Sequence, residues 1–158
     1  MSDTLVIDAS VALKWVVNEA GSSAANALLD RAVTGTILLV APEHLLGEVG
    51  NGLRKRVAQG VLSGDDALRA MDAMLALDME FVSGAARWAR TLADALRWSV
   101  TTYDALYIAI AVDLDAELIT ADLRLLASGQ TFGLPVRELD EDPTVPATQR
   151  PPGEITQQ

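Results

Sequence analysis

The sequence contains no cysteine, which excludes disulfides and thiolate metal sites and makes a reducing cytoplasm the natural compartment. Any metal must therefore bind through oxygen or imidazole. Histidine is almost absent: His44 stands alone, so acid–base catalysis by a pair of histidines is unavailable. His44 itself reads as a surface or packing residue. Long apolar runs are missing too. The longest, Ala105 to Val112, falls far short of the roughly 20 residues that a membrane span needs. Met1-Ser2-Asp3-Thr4 carries no basic leader, so the expectation is a soluble, unsecreted, cytoplasmic protein with no membrane association. Cations are scarce as well, with 12 Lys and Arg against 22 Asp and Glu and a net charge of −10. Such a balance argues against broad, non-specific binding to nucleic acid, which depends on neutralising phosphates with basic side chains.

What is present suits one domain: 158 residues, half of them apolar, enough for a substantial core. Thr4-Leu5-Val6-Ile7 reads as a buried strand, followed by a helix from Val11 to about Glu19 that Ser10 can cap. Ser22 or Ser23 opens a second helix ending at Gly35, and Ile37-Leu38-Leu39-Val40 has the continuous apolar character of a parallel strand. Pro42 suits the first turn of a third helix, whose apolar stripe is Leu45, Val49, Leu53 and Val57. A fourth helix starts at Ser63-Gly64-Asp65-Asp66, a short strand is expected at Glu80-Phe81-Val82, and a fifth helix at about 85–98. Thr101 or Thr102 caps a sixth helix that is apolar nearly all round, as a central buried helix would be. Leu118-Ile119-Thr120 reads as another strand, a short helical stretch runs through Leu126, and Leu134-Pro135-Val136 as an edge strand. The expected class is α/β: a central, mostly parallel sheet with helices on both faces. Residues 140–158, with four prolines and few large apolar side chains, cannot offset their ordering entropy and are expected to be a disordered tail beyond a domain at 1–139.

In an open parallel sheet, ligands bind beyond the carboxyl ends of the strands, and that rule selects a few of the acids. Asp8 and Asp122 directly follow strands, Asp104 lies in the first turn of the buried helix, and Glu48 sits near the second turn of the third helix. The helix dipole is expected to keep Asp104 ionised. Taken singly, each has an ordinary explanation as a cap, a loop end or a solvated helix position. Together, with no lysine or arginine between them, they would repel one another unless a divalent cation were present, and oxygen donors suit Mg²⁺ or Mn²⁺. Such ions activate water and neutralise a leaving oxygen in phosphodiester hydrolysis, with no protein nucleophile needed. Ser10 and Thr120 lie beside these acids, as does Asn51 one turn beyond Glu48. Ser10 and Thr120 can hydrogen-bond a carboxylate or metal-bound water, though capping is an equal use for Ser10. Arg54-Lys55-Arg56, on the helix of Glu48, is the densest basic run, and reads either as RNA phosphate contacts or as a solvated face. Trp88 and Trp98 read as core or interface residues rather than base-stacking platforms.

Four segments carry a family resemblance: Leu5-Val6-Ile7-Asp8-Ala9-Ser10, Glu48-Val49-Gly50-Asn51-Gly52-Leu53, Tyr103-Asp104-Ala105-Leu106-Tyr107-Ile108-Ala109 and Thr120-Ala121-Asp122. In this order, over residues 4 to 137, the chain resembles the PIN-domain ribonucleases, most closely the toxins of VapBC toxin–antitoxin pairs. The resemblance implies that Asp8, Glu48, Asp104 and Asp122 bind Mg²⁺ or Mn²⁺ and carry catalysis, with Thr120 as the hydroxyl after the late strand. It also implies endonucleolytic cleavage of RNA, a homodimer, and inhibition by a cognate antitoxin that docks on the third helix and on 63–77. Gly50 and Gly52 depart from the family's usual alanines, at roughly 1 kcal/mol each in helix propensity.

Other enzymes with acids at strand ends fit less well. A phosphoacceptor domain or a haloacid-dehalogenase-type phosphatase needs an aspartate supported by a late lysine, and the only lysines are Lys14 and Lys55. The phosphatase also needs a second aspartate two residues after the first, where Ser10 stands. Two relatives of the main reading stay open: an RNA-processing PIN-like nuclease without an antitoxin, and a catalytically silent PIN-like binding or regulatory domain.

Overall fold

The computed structural model describes residues 3–140, so all but the first residue of the proline-rich stretch lies outside the described residues. Five strands, β1 (Asp3–Ile7), β2 (Ile37–Pro42), β3 (Glu80–Val82), β4 (Glu117–Thr120) and β5 (Val136–Glu138), form one parallel sheet in the order β3-β2-β1-β4-β5. Every pair being parallel, each connection is a crossover through helix. The chain moves outward from β1 to β2 to β3 through α1 (Ala9–Val16), α2 (Ser22–Val33), α3 (His44–Ala58) and α4 (Gly64–Leu75). It then passes through a 3-10 turn at Ala85–Arg87, α5 (Trp88–Trp98) and α6 (Thr102–Asp113) to β4 on the other side of β1, and through α7 (Leu123–Phe132) to β5. Right-handed connections in opposite directions put α1–α4 on one face and α5–α7 on the other. The reversal falls between neighbours β1 and β4, which makes their carboxyl ends a topological switch point.

Burial explains why this arrangement holds. Val6, Ile7, Leu39, Val40, Leu118 and Ile119 are buried in the three central strands, as strands covered on both faces should be. All seven residues Ala105 to Ala111 of α6 are buried, and the helix packs on β1, β2 and β4. Among the described residues no helix is long and apolar enough to cross a membrane.

Local differences from the sequence-based expectations have local causes. Asp8, not Ser10, is the N-cap of α1, accepting from Val11 N at 3.2 Å. That helix ends at Val16 rather than near Glu19, because the Ser22 hydroxyl donates to Val17 O and accepts from Glu19 N, fixing a turn. Pro42 closes β2 instead of opening α3. The edge strand begins at Val136 rather than Leu134: Pro135 has no N–H for the ladder, though its carbonyl accepts from Leu118 N at 2.8 Å. α7 runs to Phe132, past Leu126, and Gly133 closes it at φ +63°.

Candidate active site

The switch point gathers the ends of four elements. β1 delivers Asp8, which is buried, and β4 delivers Thr120 and then Asp122. The Thr120 hydroxyl donates to Asp8 Oδ2, and the Ser10 hydroxyl donates to Asp8 Oδ1. The same two oxygens accept in turn: Ser10 Oγ from Ala121 N at 2.8 Å, Thr120 Oγ1 from Asp122 N at 3.0 Å. Two hydroxyls thus lace the end of β1 to the end of β4 around one carboxylate. Asp122 caps α7, accepting from Arg124 N at 2.8 Å.

Asp104 enters from the first turn of α6, whose cap Thr101 accepts from Asp104 N through its hydroxyl at 3.0 Å. Glu48 enters from α3, where Tyr107 of α6 donates to Glu48 Oε1 at 3.0 Å. A tyrosine on a helix buried all round needs a polar partner for its hydroxyl, and that requirement was the available sequence signal for Tyr107, which the reading of single acids passed over. His44 Nε2 lies 2.9 Å from Glu48 Oε1. Its ring N–H is not aimed along that line and makes no aligned hydrogen bond, so the contact is electrostatic and packing in character. His44 does pack, as expected, but against the site.

The electrostatics join these groups into one cleft. Burial, with a smaller push from the Asp104 charge, raises the Asp8 carboxyl to about 6 against the pull of hydrogen bonds from Ser10, Thr120 and Val11. Asp104 is raised by burial first, then by Glu48 and Asp122. The dipole of α6 favours the ionised form of Asp104, yet burial and like charge move its carboxyl upward on balance. Tyr107 is pushed far above its ordinary range by burial and by the charges of Glu48, Asp8 and Asp104, so it is a fixed hydrogen-bond donor. Asp104 is therefore the hub, within electrostatic reach of the other three acids.

Compensating cations are sparse here. Among the described residues Asp8 and Asp104 form no ion pair, and Arg124 Nε lies 3.9 Å from Asp122 on a side chain 95% exposed. The donor set is all oxygen, as Mg²⁺ or Mn²⁺ requires. As they stand, the carboxylates are turned onto separate hydrogen-bond partners, and among the described residues no three of them enclose a common point. Asn51, Arg54 and Lys55 are exposed on α3. Arg56 is engaged elsewhere, its guanidinium paired with Glu19 across the α1–α2 turn.

Comparison with known proteins follows this geometry. The family model described as the PIN domain matches residues 5–128. Ribonuclease VapC1 of Mycobacterium tuberculosis is 35% identical over 127 residues, which is 80% of this chain and 91% of the relative. Among solved structures, PAE2754 from Pyrobaculum aerophilum superposes with a TM-score of 0.63 at 21% identity, covering 88% of this chain and 92% of that one. VapBC2 from Rickettsia felis, bound to a DNA fragment from its promoter, gives 0.60 at 12% identity, covering 87% and 99%. At those identities the superpositions bear on the fold.

Proposed function

Because this chain belongs to the PIN-domain family, among its VapC members, we propose that it is an endoribonuclease dependent on Mg²⁺ or Mn²⁺, the toxin of a type II toxin–antitoxin pair. The observation that carries the proposal is the carboxylate hub: Asp8, Glu48 and Asp122 disposed around Asp104, with burial and mutual repulsion that, among the described residues, no Lys or Arg relieves at Asp8 or Asp104. A bound divalent ion relieves that repulsion, lowers the pKa of water and neutralises charge on the leaving oxygen. Asp8 and Asp104 would be the more buried ligands, and Glu48 and Asp122 would complete the set from α3 and α7 once the carboxylates turn from their present hydrogen-bond partners. Ser10 and Thr120 hold Asp8 in one rotamer through both carboxylate oxygens. Tyr107 holds Glu48 and stays protonated while doing so. With a net charge of −10, cations must bridge this protein to an RNA backbone; Arg54 and Lys55 are free to add phosphate contacts.

The partner reading rests on exposed apolar groups. Leu68 and Leu75 stand 68% and 59% exposed on α4, within the segment where an antitoxin is expected to dock, and Leu92 and Leu96 lie one turn apart and exposed on α5, a face suited to a second copy.

The test is RNA cleavage by purified protein in Mg²⁺, Mn²⁺ or EDTA, with Asp8→Asn and Asp104→Asn beside wild type. Cleavage that needs the metal and disappears in both variants is the expected result. Metal-independent cleavage that survives both substitutions would overturn the mechanism. Co-purification with the product of a neighbouring short reading frame tests the antitoxin separately.

A further inference from the structure

We propose that His44, Trp88 and Tyr103 form a subsite that stacks an unpaired nucleobase of the RNA strand next to the carboxylates; this rests on the ribonuclease reading above. The three rings come from three helices and meet beside Glu48, whose Oε1 lies 2.9 Å from His44 Nε2. His44 lies 4.9 Å from Tyr103 and 6.1 Å from Trp88, centroid to centroid, and Trp88 and Tyr103 are 5.9 Å apart at 87°. Rings at right angles form the two walls of a corner rather than a closed stack, and a corner leaves a face for a flat guest. Both walls are open to solvent: Trp88 is 38% exposed and Tyr103 53%. Of the two roles expected of Trp88, core or interface, this exposure removes the first.

The corner is tied to the acids by chain geometry. His44 is one helical turn before Glu48 on α3, and Tyr103 immediately precedes Asp104 on α6. A base seated on the rings therefore brings its own phosphate to the carboxylate hub. The opposite wall is fixed in place. Arg87 donates to Ser83 O at 2.9 Å and pairs with Asp113 at 2.8 Å, which pins the loop that, with His44 and Trp88, lines a small pocket beside the rings. A Cβ on Gly84 would stand 2.6 Å from Leu106 Cδ2, so a larger residue here would force the buried Leu106 side chain to shift.

Ring stacking also answers a problem of charge. A strongly acidic chain gains little from phosphate contacts, whereas a π-face binds any base without a counter-charge.

The experiment compares a short single-stranded RNA with the same strand carrying abasic sites, on wild type, Trp88→Ala, Trp88→Phe and Tyr103→Ala in Mg²⁺. Cleavage is read as kcat and KM, and binding as quenching of tryptophan emission. Trp88→Ala and Tyr103→Ala are expected to raise KM roughly 5- to 100-fold with kcat little changed, and Trp88→Phe to restore most of the loss. Quenching should be strong with the normal strand, weak with the abasic one, and lost in Trp88→Phe. Cleavage by wild type with KM unchanged in both alanine variants would overturn the subsite and leave the ribonuclease reading standing. Base-dependent quenching without cleavage would support the subsite and overturn the ribonuclease reading; neither signal would overturn both. If the alanine variants keep KM but lose inhibition by the antitoxin, the corner belongs to a protein partner and the proposal fails.

Discussion

Asp8→Asn should make the metal-free protein more stable at neutral pH while abolishing its response to Mg²⁺. The carboxyl titrates near 3.8 in an unfolded chain and at about 6 in the fold, chiefly because burial disfavours its charge. The sign follows directly. A raised carboxyl pKa means that the folded state holds a proton the unfolded state has released, so ionisation costs stability as pH rises through this window. The cost is about 3 kcal/mol above pH 6 and nearly vanishes below about pH 4. Asparagine carries no charge, caps a helix as well as aspartate does, and can still accept from Val11 N through its carbonyl. Its amide can donate to Thr120 Oγ1 once that hydroxyl rotates.

For a chain of this size about 3 kcal/mol corresponds to roughly 6 to 12 °C in melting temperature, an upper bound because the Thr120 hydroxyl must reorient. The assay is thermal unfolding of EDTA-treated wild type and variant between about pH 4 and pH 8. Asp8→Asn should melt higher at the alkaline end, and the gap should close as pH falls. A variant that melts below wild type at pH 8, or a gap independent of pH, would refute the claim that a buried, uncompensated charge sits at the end of β1.

Other outcomes follow from the same geometry. Mg²⁺ or Mn²⁺ should raise the melting temperature of wild type more above pH 6 than below pH 5, because protons compete for Asp8 and Asp104; an equal shift at both pH values contradicts the ligand assignment. Gly50→Ala should stabilise by about 0.5–1 kcal/mol, since no atom lies within 4 Å of the added Cβ. Gly52→Ala should destabilise in the same denaturant titration, its Cβ meeting Leu13 Cδ1 at 2.6 Å. Tyr107→Phe should lower cleavage by releasing Glu48 while costing about 1 kcal/mol of stability, read by kinetics and chemical denaturation side by side.

The two glycines show how far sequence reading goes. Both stand on α3 where alanine suits the family, and propensity charges each the same cost. Only the packing separates them, since α1 runs against Gly52 and not against Gly50. Hydrophobic patterning likewise found the three central strands and the buried α6, because burial on both faces leaves a continuous apolar run that is local to the chain. Boundaries failed where one side chain decided them: Asp8 displacing Ser10 as a cap, Ser22 ending α1, and Pro135 delaying β5.

The acids were legible for a related reason, and their assembly was not. Asp8 and Asp122 follow apolar runs, so their place at strand ends can be read locally. That β1 and β4 are neighbours, with crossovers leaving in opposite directions, depends on strand order, which no local pattern encodes. Without that adjacency Ser10 and Thr120 are two hydroxyls 110 residues apart, one of them a plausible cap; with it they become the paired donors that orient a single buried carboxylate. The aromatic corner escaped notice for the same reason. His44, Trp88 and Tyr103 come from three helices, and only tertiary packing turns three scattered rings into a surface next to Glu48 and Asp104. Chemistry that one residue carries is visible in a sequence, whereas chemistry that needs several elements to converge becomes visible when the sheet reverses direction and brings them together.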